Sequence, residues 1–74
     1  MRIAYDPSVD ALSIIFNETT VTTEHVAEGI AIDYDANGLV AGIEILDALE
    51  RFGDVSTLGH VTFQGVGTMM ARAA

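Results

Sequence analysis

The sequence predicts a mainly β (α+β) domain: an antiparallel five-stranded β-meander, then one short helix and a C-terminal extended segment. Three observations carry this reading. Apolar and polar side chains alternate with a period of two through much of the first 46 residues, clusters of turn-forming residues interrupt the alternation at short intervals, and helix formers take over near Asp47.

A short first strand leads into Asp6-Pro7-Ser8, whose proline and short polar neighbours make a turn. In the second, Leu12, Ile14 and Phe16 alternate with Ala11, Ser13 and Ile15 before Asn17-Glu18-Thr19. The third sets Val21, Thr23 and His25 against Thr22, Glu24 and Val26, and the fourth sets Ile30, Ile32 and Tyr34 against Ala31, Asp33 and Asp35. Glu28-Gly29 separates these two, and Asp35-Ala36-Asn37-Gly38 leads into the fifth. The connections are too short for crossover helices, so successive strands run antiparallel and the meander occupies residues 2–46.

From Asp47 onward, Ala48, Leu49, Glu50, Arg51 and Phe52 favour a helix over about residues 47–52, with Asp47 as its N-cap and Gly53 as its stop. Laid on one sheet face, that helix covers apolar side chains that five strands alone leave wet. Val61-Thr62-Phe63-Gln64 suits a short strand at about residues 60–64, and residues 66–74 are expected to fray or pack on another copy. The whole chain, residues 1–74, reads as a single domain.

Size and composition set the next bounds. A 74-residue chain buries only about 60% of the surface its unfolded form exposes, yet half of these residues are hydrophobic and mean hydropathy is +0.39. A homo-oligomer, most simply a dimer, is expected to hide the surplus. The formal charge is −8, from eleven acidic residues against three arginines and no lysine. Phosphate neutralisation by Lys and Arg is the basis of nucleic-acid affinity, so no nucleic-acid partner is expected, and anionic membrane surfaces are disfavoured likewise. A small basic protein is the partner this charge suits.

Cysteine is absent, which excludes disulfides, thiolate nucleophiles and Cys-rich zinc sites. No signal-peptide pattern and no run of roughly 20 apolar residues is present, so a cytoplasmic protein is expected.

Candidate chemistry is sparse. Asp33-Tyr34-Asp35-Ala36-Asn37-Gly38, with Glu44 after five intervening residues, matches the calcium loop of an EF-hand. That loop sits between helices, whereas these flanks alternate like strands. A hairpin tipped by Ala36-Asn37 places Asp33 opposite Val40 and Glu44 about 13 Å farther along, too distant to share an ion. Turn chemistry therefore explains Asp33, Asp35 and Asn37, and a weak divalent-cation loop at these three residues is the alternative.

His25 and His60 lack ligand-spaced partners, and Ser56, His60 and Asp54 lack the strained turn of a nucleophile. Asp6 and Asp10 flank one turn and are assigned to its hydrogen bonds. Gly65 and Gly67 lack the lysine of a phosphate loop. No enzyme signature survives, and no cofactor is expected.

One resemblance adds to this. Tyr5-Asp6-Pro7, Asp10-Ala11-Leu12 and Ile14, then Asp33-Tyr34-Asp35, Gly38, Val40 and Gly42-Ile43-Glu44-Ile45-Leu46-Asp47-Ala48, resemble the small prokaryotic family catalogued as domain of unknown function 2283. The resemblance spans roughly residues 3–52, and the Gly42-to-Ala48 run is its most specific part. It carries no catalytic residues over, and it implies the small member of a two-gene pair with a compact toxin. The resulting expectation is a protein-binding module, an antitoxin-like inhibitor of a small basic toxin or nuclease, with Glu18, Glu24, Glu44 and Glu50 as contacts. The alternative is a self-associating structural or ligand-binding domain.

Overall fold

The computed structural model describes residues 1–65. It consists of β1 (Arg2–Asp6), β2 (Ala11–Ile15), β3 (Thr22–Ala27), β4 (Ile30–Tyr34) and β5 (Val40–Ile45), followed by α1 (Ala48–Phe52) and a 3-10 turn at Val55–Gly59. All five strands join one antiparallel sheet, as the alternation predicts.

Their order is β1-β2-β5-β4-β3, and this corrects the meander. The strand directions follow from the short connections, but adjacency does not. Between Ile15 and Thr22 lie six residues, enough extended chain to reach about 20 Å, whereas three strand spacings need only about 14 Å. The loop therefore passes the ends of β5 and β4, and β5 slots in beside β2. The arrangement is a Greek key whose long connection comes first.

Two hairpins follow the predicted turn chemistry. Gly29 holds φ 73° between β3 and β4, and Gly38 holds φ 78° after Asp35-Ala36-Asn37. At the second, the Asp35 N–H donates to the Leu39 carbonyl at 2.8 Å, and the Gly38 N–H donates to the Asp35 carbonyl at 3.0 Å. Beyond that hairpin Tyr34 faces Val40 while Asp33 faces Gly42, so Ala41 is a bulge. The freed Ala41 carbonyl accepts from the N–H groups of Phe16 and Asn17, which fixes the exit of β2.

Register sorts the side chains into two faces. One carries Ile3, Ile14, Ile43 and Ile32 in a row across four strands, next to Tyr5, Leu12, Ile45 and Ile30. The α1 helix and the 3-10 turn cover part of this face, with Phe52, Thr57 and Leu58 lining a hollow shared with Ile3, Leu12 and Ile14. The fully enclosed core is small: Leu12, Ala31, Ala41 and Ala48 are the buried hydrophobic residues among those described.

Helix α1 starts at Ala48 and stops at Gly53, whose N–H donates to the Leu49 carbonyl at 2.8 Å. The expected cap at Asp47 is corrected. Asp47 occupies the N-cap position in the left-handed region, φ 53°, with no capping hydrogen bond from its side chain. The cap comes instead from Asp10, whose carbonyl accepts from the Ala48 N–H at 3.1 Å and whose carboxylate accepts from the Leu49 N–H at 3.1 Å. Asp10 is thus a long-range anchor rather than a second turn residue. Asp6 does the turn work, accepting from both the N–H and the hydroxyl of Ser8.

Residues 60–64 join no strand, so the expected short strand is absent, although the His60 backbone is extended. The expectation for residues 66–74 lies outside the described residues.

Candidate functional site: a carboxylate pair beside a strand edge

The second sheet face is polar. One row across it runs Arg2, Ile15, Gly42, Asp33 and Thr23; the next runs Ala4, Ser13, Glu44, Ala31 and His25. Asp33 on β4 and Glu44 on β5 are therefore diagonal neighbours, a spacing within reach of long side chains. This corrects the separation expected from sequence. The hairpin pairs Tyr34, not Asp33, with Val40, and the bulge at Ala41 adds one further residue, so Asp33 faces Gly42, two residues from Glu44 rather than four.

The pair shares hydrogen-bonding and charge. Hydrogen bonding to Asp33 raises the Glu44 carboxyl above the usual carboxylate range, partial burial and the Asp33 charge push the same way, and His25 opposes them. Asp33 also accepts from the Thr23 hydroxyl at 2.5 Å. Two small residues make the crowding possible. A Cβ on Gly42 would lie 3.3 Å from an Asp33 carboxylate oxygen and 3.1 Å from the Ile14 carbonyl, and Ala31 leaves the gap through which His25 acts on Glu44. Thr23, His25, Gly29, Ala31, Glu44 and Leu46 line a shallow hollow of about 260 Å³ beside the pair.

The remaining predicted residues do not converge here. Asp35 accepts from the Asn37 N–H at 2.8 Å and the Leu39 N–H at 3.0 Å, which commits its carboxylate to the hairpin. Asp33, Asp35 and Asn37 thus stand in different settings, and among the described residues no three His, Cys, Asp or Glu side chains gather to hold a metal ion. Glu18 is bound by Arg2 through two guanidinium nitrogens. Glu24 lies opposite Ile32, on the face away from Glu44. Glu50 is exposed on α1, in a hollow lined also by Glu28, Asp47 and Arg51. Of the four predicted contacts, only Glu44 on the central strand β5 belongs to the pair, with Asp33 one strand nearer β3; Glu24 lies on β3 but on the other face.

Asp54, weighed with Ser56 and His60, caps the 3-10 turn by accepting from the Ser56 N–H at 2.9 Å. That bond holds its carboxyl below the usual range. Sequence reasoning missed Asp10 and Arg51. Arg51 donates to the Leu46 carbonyl at 2.8 Å and to the Glu28 carbonyl, tying α1 to the β3–β4 hairpin. The isolated cation in the acidic stretch from Glu28 to Asp54 was the available signal.

Among the described residues no helix is long and apolar enough to cross a membrane. No curated protein and no solved structure matches the chain significantly. A family model described as "protein of unknown function" matches residues 2–48, a span that takes in the Asp10 cap, both carboxylates of the sheet face and the start of α1. By that match the chain belongs to the DUF2283 family.

Proposed function

We propose that this protein is a protein-binding module rather than an enzyme, and that its partner is a small basic protein which it masks in the manner of an antitoxin. The observation that carries this reading is the Asp33–Glu44 pair: two carboxylates held together on the sheet face that, among the described residues, no helix covers, one of them with a raised affinity for a proton. Both arginines among the described residues are engaged elsewhere, Arg2 with Glu18 and Arg51 with backbone carbonyls. A partner's Arg or Lys supplies the missing countercharge, and the net charge of −8 speeds its approach.

Self-association is a second reading with its own support. Phe16, Val26, Leu39, Val40, Leu46 and Phe52 are among the exposed large hydrophobic residues, while among the described residues the enclosed core consists of Leu12 and three alanines. A dimer would cover part of that surface.

The test is co-purification of the tagged full chain from its source cells at low and then high salt, with sedimentation of the isolated chain alongside. A stoichiometric basic protein that is released by salt supports the masking module. Bait alone, sedimenting as a dimer, supports the second reading.

A further inference from the structure

We infer that β3 is the docking edge and that its occupant is an extended basic segment of the partner, added to the sheet as a sixth strand. This rests on the reading of the protein as a module for a basic partner, and it names where and how that partner binds. Among the described residues the strand β3 pairs with β4 on one side only, and all six of its residues, Thr22–Ala27, are exposed. An edge strand presents unpaired N–H and C=O groups on its outer side, which an extended chain can satisfy.

Exposure and charge distinguish the two edges of the sheet. The other edge, β1, half-buries Ala4 and Tyr5, and its Arg2 is already paired with Glu18 while Asp6 closes the strand. By contrast, β3 is exposed throughout, carries Glu24 and no arginine, and pairs with the strand of Asp33, with Glu44 one strand farther in. A residue added opposite Thr23 enters the row that ends in Gly42, Asp33 and Thr23. Its backbone then stands two strand spacings, about 10 Å, from that of Asp33. An arginine side chain and the aspartate together close this gap, passing over the short Thr23. On the opposite face, the residue added across from Glu24 meets a carboxylate directly, so a cation is favoured there too.

The same residue selects against a second copy. Antiparallel pairing of two β3 strands about Glu24 sets the two Glu24 side chains opposite each other, and like charges in that position are destabilising. The bulge between His25 and Ala27 limits the regular edge to Thr22–His25, which defines a short docking strand.

The probe is a capped eight-residue peptide of arginine, valine and threonine, titrated into the isotopically labelled full chain while backbone amide signals and hydrogen exchange are followed. Two control peptides accompany it: one N-methylated at alternate amides, the other with glutamate for every arginine. The expected result is shifts and slowed exchange centred on Thr22–Ala27, with affinity lowered about tenfold or more by N-methylation through loss of two or more backbone hydrogen bonds. Absence of β3 shifts at millimolar peptide, shifts centred on β1 or α1, or equal binding by the N-methylated peptide overturns the edge assignment. Equal binding by the glutamate peptide overturns the basic-partner reading instead. Protection of the β3 amides in a dimer formed without peptide assigns the edge to a second copy and overturns the inference.

Discussion

The Asp10 carboxylate accepts a hydrogen bond from the Tyr5 hydroxyl at 2.7 Å and caps the Leu49 N–H at 3.1 Å, joining the first hairpin to a helix 39 residues later. Asp10 holds φ 52°, a left-handed conformation that Asp tolerates better than most residues. Replacing it by Ala removes the cap and strains the backbone. The expected cost of Asp10→Ala is about 2 kcal/mol, read from urea unfolding, while Asp10→Asn keeps an acceptor and loses less than half as much. Equal losses in the two variants would show that the carboxylate charge, not the capping geometry, holds α1.

The raised Glu44 carboxyl makes a signed prediction for pH. A group whose folded pKa lies above its unfolded value contributes stability that is complete below the unfolded value, near 4.5, and is lost as pH rises through the folded one. Glu44→Gln mimics the protonated form. It is therefore expected to raise the melting temperature at pH 7, to leave it nearly unchanged at pH 4, and to flatten the pH profile between them. The lowered carboxyls of Asp6 and Asp54 act in the opposite sense, losing their contribution as pH falls through and below their ordinary value of about 3.8. A Glu44→Gln profile parallel to that of the wild type would show that the two carboxylates do not interact.

At Gly42 the missing side chain is required by neighbours rather than by backbone angle. A Cβ there would crowd the Ile14 carbonyl at 3.1 Å and the Asp33 carboxylate at 3.3 Å. Gly42→Ala is expected to destabilise by about 1 kcal/mol or more. It should also displace Asp33, lowering the Glu44 pKa as followed by carboxyl NMR. Destabilisation with an unmoved Glu44 titration would separate the packing of β5 from the geometry of the pair.

At Gly29 both constraints operate. Its φ is 73°, and a Cβ would fall 2.3 Å from an Arg51 guanidinium nitrogen. Gly29→Ala is expected to cost about 2 kcal/mol, and Arg51→Ala should remove the collision while leaving the backbone strain of about 1 kcal/mol. A double-mutant cycle measures this, and strict additivity would contradict the contact.

Much of the fold was legible because it depends on local pattern. Alternation at Leu12, Ile14 and Phe16 and at Ile30, Ile32 and Tyr34 marked strands, Gly29 and Gly38 marked hairpins, and Gly53 ended the helix. The features that went unread depend on partners distant in sequence. Nothing local says that the loop from Phe16 to Val21 skips two strands, or that Asp10 caps a helix that Asp47 adjoins. The carboxylate pair was hidden by two one-residue shifts. The hairpin pairs Tyr34 rather than Asp33 with Val40, and the bulge at Ala41 adds the second residue; neither is written in the turn sequence, and the expected register keeps Asp33 and Glu44 apart.

The most direct test of the central claim is the affinity of the captured basic partner for the wild-type chain and for Asp33→Asn/Glu44→Gln, measured calorimetrically at low and high salt. The account predicts that the double variant stays folded, binds at least tenfold more weakly at low salt, and shows a reduced salt dependence. Unchanged affinity and an unchanged salt slope in a folded double variant would contradict it and take the pair out of the interface.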